Sequence, residues 1–393
     1  MLGSLHDSDK GPMPQVGPIA HDELPLDGAR SDRPLAFEPT DEDGWHRLAR
    51  GYRLAGLLLS AHRMGLLRTL ADRGPLTIET LAHELLTDVR LLTVICRALR
   101  AAGLLGTTDG NRWRLSPAGE RLATDVGATL ELDAMAEDYR RWGELDRFAR
   151  AMPDAHRAES TTYAEADLAY DEQAVRRYAR RMANRRRQEA ERLLSRVMPT
   201  RPLTVLDAWG GDGYVAREMC SRWPQITCTV LEIPTMARVT REACAGQPRV
   251  AVITGDLVRD DPTALLGGET VDVVVVSHVL QSLSEQRRRE LAAQVTHVLA
   301  PGGCLLSSEF VLRWDDRDSL DVLLWAVGRT AERWQGEPLR ATEQDMLLRG
   351  GGLAAVDSWW VTETTRAVLG VKPAAGIEPA LHIVDEAALS TRS

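Results

Sequence analysis

Four apolar segments in the second half of the chain end on residues that can do chemistry. In VLDAWGGDGYVAREM, Asp207 is followed by glycines at 210, 211 and 213, and TVLEIP reaches Glu232, twenty-five residues after that aspartate. GDLVRDDP offers Asp256 and Leu257, and VVVVSHVL offers Ser277 and His278. A glycine turn running into a helix near Tyr214 lets the backbone approach a ligand and aims helix amides at it. An acid at the end of the next strand is placed to accept from a ribose diol. Asp256 is positioned to accept from an adenine amino group, with Leu257 covering the ring. A glycine loop alone serves many nucleotides; glycine loop, acid, acid and polar pair on successive segments describe a site for a nucleoside-bearing ligand. Nothing comparable points to a metal. Cys96, Cys220, Cys228, Cys244 and Cys304 are scattered without a Cys-x-x-Cys or a Cys/His cluster, so they read as reduced, packed thiols.

Such residues need a scaffold that gathers them. The runs TVLDAW, TCTVLEI, VAVITGD, VDVVVVSHVL and GCLLSSEFVL lack polar alternation, the texture of parallel strands covered on both faces. In an open sheet of that kind ligands lie at the carboxyl ends of the strands. The expected fold class is therefore α/β, with a doubly wound Rossmann-like domain over 199–374. Ahead of it, Leu54, Leu57, Leu58 and Met64, Leu67, Leu70 recur at helical spacings. Two further helices follow, the first capped by Thr77 and the second stopped by Gly103. A hairpin then turns at Asp109–Gly110 and returns through Arg112, Trp113, Arg114 and Leu115. Helix, helix and two-stranded wing is winged-helix order, so a mainly α-helical, winged-helix-like domain is expected over 41–125, with a helical connection over 126–198. Residues 1–40, dense in Pro, Gly, Asp and Ser, read as a disordered arm. Residues 375–393 read as a flexible tail in which LHIVDEAAL forms one short helix.

Composition narrows the functional classes. With 393 residues, 44% hydrophobic and 27% charged, the chain can build about two cores, which excludes collagen, wholesale disorder and a disulfide-stapled miniprotein. No apolar run approaches the roughly 18 residues of a membrane span, and the N-terminus lacks a signal-peptide core. A soluble, cytoplasmic protein without a membrane partner is expected. A net charge of −9 gives no global attraction to phosphate backbones. A winged helix in isolation suggests a DNA-binding regulator, but DVRLLTVICRALRAAG is largely apolar with few base-reading side chains. Its apolar surface reads better as an interface with a second subunit.

LDAWGGDG, LEIP, GDLVRDDP, SHVLQSLSEQ, LAPGGCLLSSE and LLRGGGLAAV resemble the successive motifs of class I S-adenosylmethionine-dependent small-molecule O-methyltransferases, the kind found in bacterial natural-product and plant phenolic pathways. The winged-helix segment resembles that family's dimerisation domain, and the resemblance runs from Trp45 to Ala374. It implies S-adenosylmethionine as cofactor, S-adenosylhomocysteine as product, a homodimer, and a small aromatic or polyketide-like acceptor. Carried over by position, Asp207, Gly210, Gly211 and Gly213 cradle the methionine part. Glu232 takes the ribose hydroxyls with Ile233 beside it, Asp256 and Leu257 hold the adenine, and Ser277 lines the pocket.

Two departures from the family pattern bear on chemistry. The family loop reads Asp-x-Gly-Gly-Gly-x-Gly, and Trp209 takes the first of those three glycines, so its indole points either into the core or toward the cofactor. Many relatives carry a His-Asp pair whose His falls on Gln281, followed here by Ser282. A glutamine amide orients an acceptor but cannot take its proton. Methyl transfer to an already acidic phenol, enol or carbanion then proceeds by proximity without the family's histidine base. The competing reading is a family member that binds the cofactor without transferring its methyl, as a hydroxylase, decarboxylase or pericyclase. Gln281 and His278 are the expected catalytic positions, with His278 read either as a substitute base or donor or as a packed side chain. Trp142, Tyr178, Met182, Asn184, Leu324 and Trp325 are candidates to line the acceptor pocket or equally to fill a core. Glu309 stands near the acceptor by resemblance, or is merely solvated or paired. Ser282 with Glu285 reads as a capping box for the following helix, and the basic run Arg176 to Arg187 reads as an anion-binding face or, as is usual on a surface helix, as a face solvated or paired with residues such as Glu189 and Glu191.

Overall fold

The computed structural model describes residues 42–108, 111–150, 172–256, 260–312, 320–331 and 337–384. The expected arm over 1–40, the Asp109–Gly110 turn and Leu257 lie outside the described residues. One compact unit ends at Leu54 and is described only in the opening half of α1 (Glu42–Arg63); the second begins at Ala55.

In the second unit, α2 (Leu66–Arg73), α3 (Ile78–Glu84) and α4 (Val89–Ala101) follow. The caps are local chemistry. Thr77 Oγ1 accepts from the Thr80 amide at 3.3 Å and Asp88 Oδ1 from the Leu91 amide at 2.8 Å, each satisfying a donor the first turn leaves orphaned. Past α4, Gly103 takes a left-handed φ of 78°, and β1 (Leu105–Thr107) pairs antiparallel with β2 (Trp113–Leu115). Leu66, Leu70, Leu81, Leu92, Cys96, Leu99 and Trp113 share one buried cluster beneath this winged arrangement. Leu86, Leu91 and Val94 stay exposed. The chain continues through α5 (Pro117–Thr124), α6 (Val126–Trp142), α7 (Leu145–Arg150) and, after residues outside the description, α8 (Glu172–Ser195).

The remaining elements are β3 (Val197–Pro199), β4 (Leu203–Ala208), α9 (Tyr214–Arg222), β5 (Ile226–Glu232), α10 (Pro234–Ala243), β6 (Val250–Thr254), α11 (Pro262–Leu265) and β7 (Val271–Ser277). A 3₁₀ turn (Leu280–Ser282), α12 (Glu285–Val298), β8 (Leu299–Leu312), α13 (Leu320–Ala331), β9 (Leu339–Arg340), α14 (Ala341–Gly350), β10 (Ala354–Trp360), β11 (Thr365–Val371) and β12 (Leu381–Ile383) complete them. The main sheet runs β10-β11-β8-β7-β4-β5-β6, with β9 beside β8. Strands β8, β7, β4, β5 and β6 are parallel, while β11 and β10 add an antiparallel edge. From β4 the chain winds outward through β5 and β6, then returns to place β7 on the other side of β4. The carboxyl ends of β4 and β7 thus form the switch point where such sheets bind ligands, with Asp207 level with Val275.

Strand residues alternate between two cores, as a period of two requires. Val205, Val273, Val275 and Leu306 join Met219 and Leu193 on one face, whereas Leu206, Val274, Val276 and Leu305 join Leu291 and Leu348 on the other. Two local expectations are corrected. Leu381–Ile383 is not the start of a helix but a strand pairing with Val197–Pro199, so this part of the expected tail is ordered by a ladder and by burial of Leu381. The cap of α12 is Ser284, whose Oγ accepts from the Arg287 amide, and Ser282 sits one turn earlier in the 3₁₀ turn. The antiparallel β10–β11 edge joins the five strands legible as apolar runs.

Candidate active site

The glycine loop between β4 and α9 is clamped by side chains from neighbouring elements. Glu232, at the end of β5, accepts from the Gly211 amide through Oε1 at 2.8 Å and from the Ile233 amide through Oε2 at 3.0 Å. Thr240 of α10 donates its hydroxyl to the Gly211 carbonyl at 2.5 Å. Gly211 has a φ of 64°, and a Cβ there would lie 1.4 Å from the Arg186 guanidinium, so a side chain at this position would be strained and would displace that guanidinium. At Gly210 a Cβ would meet the Asp207 carboxyl at 2.4 Å. Gly213 caps α9.

Trp209 resolves one open point of the sequence. Its φ is 54°, the conformation a glycine would supply, and it is held by a 2.9 Å bond from its amide to the Leu231 carbonyl. The residue is only 2% exposed and belongs to the buried cluster with Leu206, Leu231, Val279 and Leu280. The indole is therefore core, with one edge of the residue lining the cleft.

Asp207, Trp209, Gly210, Glu189, Ser277 and His278 are among the residues lining a small cavity at the switch point, which Arg186 also lines. Asp207 is buried, and its Oδ2 has no hydrogen-bond partner among the described residues. Burial pushes its carboxyl up to about 7, opposed by the Ala216 amide and by the Arg186 charge. The Arg186 guanidinium also lies 5.7 Å over the Tyr178 ring. Glycine-lined space flanked by an orphaned carboxyl oxygen and a guanidinium fits a zwitterionic amino-acid group, as the methionine end of S-adenosylmethionine is.

Behind His278 the turn is stapled to β8. Glu309 Oε1 accepts from the amides of Val279 and Leu280 at 3.1 and 3.2 Å, and Gln281 Oε1 accepts from the Phe310 amide at 2.8 Å. Gln281 is 3% exposed, so its oxygen is committed to backbone rather than turned to an acceptor. Glu309 is fully buried, and desolvation raises its carboxyl to about 7, opposed by His278 and by the amides it accepts from. The two positions that by resemblance stand at the acceptor thus hold the turn in place.

The other expected residues divide. His278 packs edge-on to Phe310 at 4.6 Å and Phe310 to Trp325 at 5.6 Å, so an aromatic row runs from the cleft to α13. Trp142 and Leu324 are exposed, with Trp142 beside Gly328 of α13. Tyr178 packs against the cluster of Val175, Ala179, Met236 and Val239, which Ile233 also joins. Met182 is half-buried on α8, and the side chain of Asn184 lies outside the description. Asp256 is partly buried, with its amide bonded to Asp260 at 2.8 Å, and neither it nor Glu232 lines the cavity. Sequence reasoning gave Arg186 and Glu189, within or beside the basic run, no place at the cleft, and it passed over Thr240 and Phe310. For the first two a signal existed: Tyr178, Met182, Arg186 and Glu189 lie at i, i+4, i+8 and i+11 of one helix, hence on one face.

Comparison with known proteins shows the family and the fold. Residues 155–354 match the family described as O-methyltransferase domain, and residues 46–125 match the O-methyltransferase dimerisation domain. Acetylserotonin O-methyltransferase of Gallus gallus is 27% identical over 171 residues, 43% of this chain and about half (47%) of that protein's length. The N,N-dimethyltransferase OxyT of Streptomyces rimosus is 28% identical over 274 residues, 66% of this chain and 76% of that one. The crystal structure of human N-acetylserotonin methyltransferase in complex with SAM has the same fold, with a TM-score of 0.70 at 19% identity over 86% of this chain and all of that one. Among the described residues no helix is long and apolar enough to cross a membrane.

Proposed function

The chain belongs to the O-methyltransferase family, an S-adenosylmethionine-dependent enzyme family, and from that premise we propose that it methylates an oxygen of a small aromatic or polyketide-like metabolite. One observation carries the cofactor side of this reading. The partnerless oxygen of Asp207 and the guanidinium of Arg186 flank the glycine loop, opposite charges set for the ammonium and carboxylate of the methionine part. Glu232 fixes the loop through Gly211, and it ends β5 beside Ile233, the position to which the family resemblance assigns the ribose-binding acid. Ser277 and Gly210 line the cleft between them, while Asp256 and Leu257 are assigned to the adenine by position.

When bound, the cofactor supplies an electrophilic methyl on a positive sulfur. The protein's part is to hold an acceptor oxygen in line with it and keep water out, and orientation of that kind contributes on the order of 7 kcal/mol. His278 lines the cleft that would take such an acceptor, and Phe310 and Trp325 stand behind it in an edge-on aromatic row. Gln281 and Glu309 act one step removed, by fixing the turn that carries His278. No metal is assigned a role. Exposed Leu86, Leu91 and Val94 in the segment matching the dimerisation domain support a homodimer of this chain through that face.

Calorimetry of the full chain with S-adenosylmethionine, followed by assay of S-adenosylhomocysteine release with a panel of hydroxylated aromatics, tests this. Binding and acceptor-dependent release are expected. Absence of binding, or acceptor conversion without S-adenosylhomocysteine, overturns the proposal.

A further inference from the structure

We propose that His278 and Glu189 form a relocated acid–base pair in which His278 takes the proton of the acceptor and Glu189 is the positioning residue that fixes the imidazole. The inference rests on the methyl-transfer reading above. The position where many relatives carry their histidine is Gln281, which has no useful basicity and is turned onto the Phe310 amide. Three residues earlier, at the same strand end, stands a histidine paired with a carboxylate from a different element: His278 Nε2 and Glu189 Oε2 lie 2.7 Å apart, joining the end of β7 to α8. Both line the switch-point cavity, and their side chains are 20% and 12% exposed, shielded yet reachable.

The chemistry of the pair follows from its geometry. With Nε2–H donated to the carboxylate, Nδ1 becomes the basic nitrogen. Nδ1 has no hydrogen-bond partner among the described residues and is not among the atoms sealed from solvent. Independent constraints hold this one ring. Its backbone sits at a left-handed φ of 56°, a conformation that costs a non-glycine residue on the order of 1 kcal/mol and persists only where neighbours impose it. The Ser308 carbonyl fixes its amide at 2.8 Å, Glu309 fixes the next two amides, and the Phe310 ring abuts the imidazole. Imposed strain at a cleft-lining histidine is the expected mark of a residue held for its position. In the reaction the acceptor oxygen gives its proton to Nδ1 and its lone pair to the methyl carbon, displacing sulfur with the electron pair of the old bond as a neutral thioether. The imidazolium formed beside Glu189 then loses its proton to solvent.

The full-length chain is tested at a mildly alkaline pH with two phenolic probes, 1-naphthol, which is still mainly un-ionised there, and 4-nitrophenol, which is largely ionised. Loss of the base in His278→Gln is expected to slow 1-naphthol by about 100-fold and 4-nitrophenol far less, since an ionised acceptor needs no base. Glu189→Gln is expected to slow 1-naphthol by about tenfold through a ring free to choose its tautomer. Its pH–rate profile is read with the other charges at the cleft in view, Glu309 of β8, Asp207 of β4 and Arg186 of α8. A second readout needs no acceptor: nitrogen-15 NMR of labelled histidine, assigned by His278→Gln, should show Nδ1 bare and Nε2 protonated in the neutral ring, a preference lost in Glu189→Gln. Equal losses on both phenols, or no loss on either, overturn the pair. If the parent chain methylates neither phenol, the NMR decides: the Nδ1–H tautomer, or a tautomer indifferent to Glu189→Gln, overturns it, and the expected signature sustains it. Calorimetric binding of S-adenosylhomocysteine to the same samples, with assay of its release, separates the two failures: lost binding, or acceptor conversion without release, is failure of the underlying reading, whereas either overturning result with binding intact and no such conversion is failure of the pair alone.

Discussion

The side-chain oxygen of Gln281 accepts the Phe310 amide proton at 2.8 Å, tying the turn after β7 to the end of β8. A residue that cannot act as a base thereby sets where the neighbouring His278 stands. Replacement by leucine leaves the Phe310 amide buried without a partner, a loss of about 1–3 kcal/mol. Urea unfolding of Gln281→Leu should show that loss, together with a modest fall in turnover. Unchanged stability would mean that the amide finds another acceptor and that the staple is dispensable.

Trp209 is expected to behave as a core residue despite its place in the glycine loop. Trp209→Ala should cost about 3–5 kcal/mol of stability by leaving a cavity, read as a lowered denaturation midpoint. A variant of parent stability that binds S-adenosylmethionine more tightly would show instead that the indole obstructs the cleft.

Cofactor binding should release a proton near neutral pH. The Asp207 carboxyl is raised to about 7 by burial, so near that pH the free protein carries part of a proton there. An ammonium placed beside it favours the charged form and expels that proton. Calorimetric enthalpies in buffers of different ionisation enthalpy measure the release, and Asp207→Asn should abolish it.

Glu309 gives the protein a pH signature of the opposite kind to a paired surface acid. Its folded value of about 7 lies above the unfolded value of about 4.3. Between those two pH values the folded state binds more protons than the unfolded one, so stability falls as pH rises through that window. Glu309→Gln, which keeps an oxygen for the Val279 and Leu280 amides, should flatten the curve of unfolding free energy against pH. A curve still falling as steeply would place the titrating group elsewhere, with Asp207 the next to test.

Arg186 should govern cofactor affinity. A charge-assisted bond to a carboxylate contributes about 1.5–3 kcal/mol, so Arg186→Met is expected to weaken S-adenosylmethionine binding by about 10- to 100-fold. Affinity within a factor of two of the parent would remove Arg186 from the methionine subsite.

Much of this protein was legible in one dimension because the signals are local. Unalternating apolar runs specify strands buried on both faces, Thr77 and Gly103 bracket their helices by cap chemistry, and an acid twenty-five residues beyond Asp207 falls at the next strand end. Cap assignment slipped from Ser284 to Ser282 because both offer a hydroxyl ahead of the same helix, and only the 3₁₀ turn that takes up Ser282 distinguishes the two. LHI became a strand because the pairing partner, Val197–Pro199, lies almost two hundred residues away.

By itself, then, the sequence determined the α/β class, the winged-helix order, the strand ends that carry Asp207, Glu232 and Ser277, and the unfitness of Gln281 as a base, since each depends on residue type and short-range spacing. Tertiary structure decided which way side chains turn. It sent the Trp209 indole into the core, used Glu232, Gln281 and Glu309 to hold backbone, and brought Arg186 and Glu189 of a basic helix to the cleft beside Asp207 and His278. Eighty-nine positions separate His278 from Glu189. No period or motif links residues that far apart, and their hydrogen bond exists only because α8 packs across the carboxyl edge of the sheet.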